Sequence, residues 1–255
     1  MSLFKKFAAP SDVKMEEVKD SVGGGFAVYD TDIYKAKIKM AFLDVWGSGA
    51  NYVALTLAMP DGKDYSENIT ITNKKGDTFY TKNDKNYPLP GFVTIDDMCL
   101  VTLGVGLSEM DEHTEEKQVM VYDKDAGREV PKVKQVLTGL LGKEVAVAIQ
   151  KSIETKMNKD GEGNYTIPTA DTREANSIEK VFEPESMMTT VEARAEKTEG
   201  EFHKVWLDKN QGKTRDKTHK GEATGAKPVS AKPAGGAPQA SAGAGARKPL
   251  FGNKS

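Results

Sequence analysis

One cysteine, three histidines and no long apolar run make up the scarcities of this 255-residue sequence, and each excludes a class of protein. A single thiol, Cys99, cannot form an internal disulfide or furnish a cysteine-cluster metal site. None of His113, His203 and His219 stands at a metal-ligand spacing from another histidine or from the cysteine. No window approaches the about 18 consecutive apolar residues of a membrane span, and the N-terminal MSLFKKFAAPSD lacks the apolar centre of a secretory signal. Catalytic signatures are missing as well. No serine sits in a nucleophile elbow, no glycine-rich loop ends in Lys-Ser or Lys-Thr, and Gly104-Val105-Gly106 follows a helix instead of preceding one. The expectation is a non-enzymatic protein of a reducing cytoplasm, with no membrane contact, metal or cofactor.

Hydrophobic residues make up only 38% of the chain and its mean hydropathy is -0.54, so part of it should lie outside any packed core. Net charge is -2, yet residues 209–255 hold ten basic residues against two acidic ones, which leaves -10 on residues 1–208. Within residues 221–249, 19 of 29 are Ala, Gly or Pro, and Val229 is the sole large aliphatic. Such a segment cannot bury enough apolar surface to offset its backbone entropy. We expect three parts: a flexible lead over 1–25, a structured domain over 26–208, and a disordered basic tail over 209–255. Leu250 and Phe251 form an isolated apolar pair near the end of that tail, suited to a short docking motif.

Strand signals dominate the middle of the chain. Tyr34, Ala36, Ile38, Met40 and Phe42 alternate with Lys35, Lys37, Lys39 and Ala41, which predicts a half-buried strand with lysines on its open face. A turn at Trp46-Gly47-Ser48-Gly49 leads to a second strand over 52–59, and Pro60-Asp61-Gly62 turns it into a third over 65–72. Residues 73–91 read as a polar excursion. Thr94 then caps a helix through Ile95, Met98, Cys99 and Val101 that stops at Gly104 or Gly106. Val119 and Val121 mark a fourth strand, and Val145, Val147 and Ile149 a fifth; a turn at 160–163 returns the chain through Tyr165 to Ile167. Three strands, a helix and further strands predict an all-β fold with one or two helices, a five-stranded Greek-key OB barrel with its helix between strands three and four. Residues 171–208 find no place on it.

One constellation points to binding. Single-stranded nucleic acid is held by lysines that track phosphates and by rings that stack on bases. Residues 73–87 interleave both kinds: Asn73, Lys74, Lys75, Lys82 and Lys85 with Phe79, Tyr80 and Tyr87. Two adjacent aromatics in a polar loop cannot both enter the core, so at least one should be exposed. Lys35, Lys37 and Lys39 recur about 7 Å apart along the first strand, close to the phosphate spacing of an extended strand. Trp46 borders the same face; Lys143 and Lys151 flank the fifth strand. Glu109, Asp111, Glu112, Glu115 and Glu116 could hold a divalent cation for a metal-dependent nuclease, but one exposed run of carboxylates is more simply a solvated loop. The other reading, from the -10 of residues 1–208, is a protein–protein adaptor with an acidic barrel and a basic tail.

Taken in order, DIYKAKIKMAFLDVWGSGANYVALTL, ITNKKGDTFYTKNDKNYPLPGF, DDMCLVTLG, LLGKEVAVAIQ and TREANSIEKVFEPE resemble bacteriophage-encoded single-stranded-DNA-binding proteins with an OB fold, over about residues 1–190. The resemblance implies a replication and recombination accessory that coats single-stranded DNA and catalyses nothing. It supports the run from Ile71 to Tyr87 and the first-strand lysines as DNA contacts, and it allows replication or recombination proteins as partners of the tail. Many such proteins end in an acidic tail with a terminal aromatic; here the tail is basic and Phe251 lies four residues from the end. A basic arm adds phosphate contacts instead of competing for the binding face.

Overall fold

The computed structural model describes residues 28–123, 126–161, 165–218 and 251. The expected lead over 1–25, and the tail apart from 209–218 and 251, lie outside the described residues. The described chain is mostly β-sheet, with three α-helices, and no helix in it is long and apolar enough to cross a membrane.

Strand β1 (Asp32–Val45) buries Ala36 and Ile38 and exposes Lys35, Lys37 and Lys39. Its alternation breaks at a bulge: against β2 (Asn51–Ala58), Ile38 faces Leu57 while Met40 faces Thr56. One extra residue there moves every later side chain to the opposite face, so Ala41 enters the core opposite Leu55. Met40 and Phe42, expected inside, therefore sit on the outer side. β2 pairs in turn with β3 (Asp64–Thr70) across a tight turn in which Gly62 takes φ 80°.

Residues 79–88 are not the irregular loop the sequence suggests. β4 (Phe79–Lys82) and β5 (Lys85–Pro88) form a two-residue hairpin whose central Asn83 and Asp84 both have positive φ, 51° and 57°. Asn and Asp tolerate that region, and the resulting turn matches the natural strand twist. Helix α1 (Pro90–Leu103) follows, with proline at its start and Gly104 closing it at φ 76°. Thr94 lies inside the helix, its hydroxyl donating to the Pro90 carbonyl at 3.0 Å, so it is not the cap. At Gly91 a Cβ would sit 2.1 Å from the Thr70 carbonyl oxygen, so only glycine lets α1 lie against β3.

β6 (Glu115–Asp123) and β7 (Arg128–Val136) form a hairpin joined to β1 only at Phe42–Val136 and Leu43–Gln135. A 3-10 turn at Thr138–Leu140 leads to β8 (Glu144–Lys159), which pairs with the first half of β1 and with β9 (Tyr165–Phe182). The described residues thus make ten strands where five were expected, with a hairpin standing between β3 and α1. The main sheet runs β10-β8-β1-β2-β3, with β9 on β8. β3 and β9 do not pair, and the sheet is not closed.

Side chains bridge that gap. The Glu67 carboxylate on β3 accepts the Ile178 amide of β9 at 2.9 Å and the Tyr65 hydroxyl at 2.7 Å. Tyr29 and Asn176 exchange two hydrogen bonds of 2.7 and 2.8 Å, while the Tyr29 hydroxyl donates to Asp61 at 3.1 Å. The main core fills the inner face with Ile38, Val53, Leu55, Leu57, Val145 and Val147, covered by Ile95, Met98 and Cys99 of α1.

Residues 171–208, unplaced from sequence, complete β9 and build the small helices α2 (Thr190–Arg194) and α3 (Phe202–Asn210). α3 lays Trp206 on Ala146, Ala148 and Phe182, with Ile33 and Leu207 alongside, as a second core on the other side of β8. Burying large apolar side chains there contributes about 1.5–3 kcal/mol each. Polar contacts fix the arrangement: buried Asp97 accepts from Thr190 at 2.5 Å and Lys180 at 2.9 Å, and Glu192 accepts the amides of Glu201 and Phe202, each at 2.8 Å. The ordered chain continues past residue 209, where the tail was expected to begin: β10 (Arg215–Lys217) adds to β8 in parallel. Phe251 is half-buried against the main core.

Candidate nucleic-acid interface

Register places Asp44, Tyr52 and Thr70 side by side on the outer face of β1, β2 and β3. Trp46, in the turn that follows β1, folds back over them. Its indole stacks on Tyr52 at 4.1 Å and 26°, and its ring nitrogen donates to Thr70 Oγ1 at 2.9 Å. The Asp44 carboxylate anchors this pair, accepting from Tyr52 at 3.2 Å and from Lys134 of β7 at 2.6 Å. Burial opposes ionisation of Asp44, but hydrogen bonds from Lys134 and the Val45 amide outweigh it and hold the carboxyl below its usual range. Burial and the Asp44 charge push the Tyr52 hydroxyl up to about 12.

Beyond the stacked pair the outer face is flat. Ala54, Thr56, Ser66 and Asn68 line it, with Thr56 and Ser66 hydrogen-bonded at 3.1 Å. The lysine row reaches the surface as expected, but it is not a uniform phosphate track. Lys39 pairs with Asp64 at 2.6 Å and Lys37 with Glu144 at 3.8 Å, and Lys35 lies opposite Ala146, beside the second core. Lys151 is paired with Glu174 and Asp30, and Lys143 is exposed just before β8.

Residues 73–88 adjoin the Trp46 turn. The Asn51 amide donates to Thr72 Oγ1 at 2.8 Å, and a Cβ at Gly49 would meet the Lys74 carbonyl at 3.5 Å. Asn73, expected at the nucleic acid, instead organises its own turn, its side chain bonding the Lys75 and Asp77 amides and the Asp77 carboxylate. That turn presents Lys74 and Lys75 beside Phe79, Tyr80 and Thr81, around a shallow pocket of about 320 Å³. Phe79 and Tyr80 are both exposed. Tyr80 stacks on Tyr87 across the hairpin at 5.6 Å and 24°. Lys82 and Lys85 pair two residues further along, on the same face of the hairpin.

Trp46, Lys74, Lys75, Phe79, Tyr80, Lys82 and Tyr87 therefore gather at one end of the outer face, while Lys35 and Lys37 stand apart. Two aromatics escaped the sequence reading. Tyr52 looked like the first residue of a strand, and nothing in its neighbourhood marks it as Trp46's partner. Tyr165 sits exposed at the far end of the β8–β9 hairpin with the Lys159 ammonium 5.4 Å from its ring centre. Its signal was a tyrosine two residues after Gly163, at the end of a glycine-rich turn sequence. In the acidic stretch, Glu109 caps the Gly106 amide at 3.0 Å, and no three His, Cys, Asp or Glu residues converge as metal ligands among the described residues. Compared with known proteins, the chain matches no family model and no curated protein.

Proposed function

We propose that this protein binds single-stranded DNA without sequence preference, stacking bases on the Trp46–Tyr52 and Tyr80–Tyr87 pairs and on Phe79, with Lys74, Lys75, Lys82 and Lys85 at the phosphates. The observation that carries this reading is two stacked aromatic pairs, each with one exposed ring, Trp46 and Tyr80, together with four exposed lysines. Each stacked base contributes about 1–3 kcal/mol, whatever its identity. With the β4–β5 and β6–β7 hairpins taken as insertions, the order β1-β2-β3-α1-β8-β9 is read as an OB-type barrel in which side chains, not backbone pairing, link β3 to β9. In that fold the outer face of strands two and three and the flanking loops hold oligonucleotides, which puts Tyr165 and Lys159 at the opposite end of the DNA path. The resemblance to bacteriophage proteins extends the role to coating DNA in replication and recombination. No catalytic step is proposed, and Phe251, packed on its own core, is not offered as a partner motif.

A fluorescent oligothymidine titrated at several salt concentrations tests the proposal. The four lysines by themselves give a slope near -2.8, or roughly 50-fold weaker binding between 50 and 200 mM salt, and the basic tail makes the slope of the full chain steeper. No binding at low salt, or affinity indifferent to salt, refutes it. The -10 of residues 1–208 favours the adaptor reading instead; a captured protein partner that oligothymidine fails to displace would support that reading.

A further inference from the structure

Apart from its two backbone pairings with β1 and the Lys134–Asp44 ion pair beside them, the β6–β7 hairpin has its ladder only with itself and stands out from the sheet as a ribbon. Register sets Gln118 with Val133, Met120 with Pro131 and Tyr122 with Glu129 on one of its faces. Met120, Tyr122 and Val133 are 57%, 62% and 66% exposed there, three large apolar side chains in one patch. Isolated exposed apolar residues need no explanation, but a contiguous patch marks an interaction surface. A second patch lies on α3, where Phe202 and Val205, one turn apart, are 40% and 60% exposed, and Lys209 continues the same face one turn further on.

Both patches end in charge, of opposite sign: Glu129 beside Tyr122, and Lys209 beyond Val205. They also flank opposite ends of β1. The ribbon joins at Phe42 and Leu43, and α3 packs at Ile33, about 30 Å away along the strand. We propose that the ribbon of one copy docks on the α3 patch of the next. Ribbon on ribbon would bring a second Glu129 carboxylate to the contact, and α3 on α3 a second Lys209 ammonium, whereas ribbon on α3 joins apolar to apolar and anion to cation. Such a contact uses different surfaces on the two copies, so it repeats from copy to copy, as a ring where the rotation closes and as an open filament where it does not. A nine-residue helix is about 13 Å long, which limits the contact to the small, weak class of interface.

Cross-linking without nucleic acid tests the contact, so its failure leaves the DNA-binding reading standing. Cys99 is buried, and burial pushes its thiol up to about 12, so it stays silent. Full-length Tyr122→Cys and Val205→Cys proteins, mixed at about 0.3 mM and oxidised, should give disulfide-linked dimers at least tenfold more abundantly than either alone. Adding Glu129→Lys to the first should abolish the yield, and adding Lys209→Glu to the second should restore it. The proposal is overturned by a mixture that links no better than its components, or by a charge reversal that leaves the yield unchanged, since either means that the exposed thiols meet at random. Thermal unfolding of each variant confirms that a lost link is not a lost fold.

Discussion

Trp46 is held from two sides, by the ring of Tyr52 and by the Thr70 hydroxyl, so its indole is already oriented before any base arrives. Pre-orientation reduces the entropy lost on binding. Trp46→Ala and Tyr80→Ala should each weaken oligothymidine binding by roughly 5- to 100-fold at every salt concentration, read by fluorescence anisotropy, with the salt slope unchanged. Lys74→Ala with Lys75→Ala should instead lower the slope by about 1.4. Equal responses from both variant sets would dismiss the division between stacking and phosphate roles. Glu67 offers a test of stability. Burial raises its carboxyl above the usual range, against hydrogen bonds from Tyr65 and the Ile178 amide. A raised pKa means that the folded state holds the proton more tightly than the unfolded state. Glu67 therefore adds stability at low pH, and that contribution fades as pH climbs through its folded-state pKa. Urea unfolding from pH 5 to pH 8 should show Glu67→Gln gaining on the parent as pH rises.

Among the elements, the hairpin of β2 and β3 was legible because Val53, Leu55 and Leu57 alternate cleanly and Pro60-Asp61-Gly62 breaks the run. The hairpin of β4 and β5 was not. Its strands carry almost no core residues, and hydrophobic period, the main clue to a strand, is absent when neither face is buried. The bulge in β1 likewise leaves no mark in an alternating sequence, yet it decides which of Met40 and Ala41 is inside. α2 and α3 depend on partners far along the chain: Thr190 meets Asp97 at a separation of 93 residues, a relation that no local window contains. Of the candidate site, the aromatic and lysine run over 74–87 was visible, while the pairing of Trp46 with Tyr52 and the ion pairs that occupy Lys37 and Lys39 needed the folded chain. Gly91 gives the sharpest test of how elements meet. Since a methyl group there would strike the Thr70 carbonyl, Gly91→Ala should destabilise the protein by about 1–3 kcal/mol, lowering the urea midpoint and separating α1 from β3.

For the molecule as a whole, charge is divided between an acidic body and a basic end, and within the body Lys74, Lys75, Lys82 and Lys85 are exposed along one segment. Local field, more than net charge, decides where a polyanion settles. Residues 219–255 carry six basic and one acidic residue. Truncation after Thr218 keeps β10 in place but takes Phe251 off the main core, so it should lower the salt slope and cost only a little thermal stability. Truncation after Asp208 also removes β10 and the hydrogen bonds of Gln150 and Thr31 to the Lys213 carbonyl, so it should lower the melting temperature as well. The gap between β3 and β9 has a mechanical consequence. A sheet closed all round by backbone ladders has a fixed circumference, whereas here the edges β3 and β9 are linked through the side chains of Glu67, Tyr29 and Asn176. The distance between those edges can change by rotation of these side chains without breaking a single ladder, which leaves the outer face free to widen or narrow.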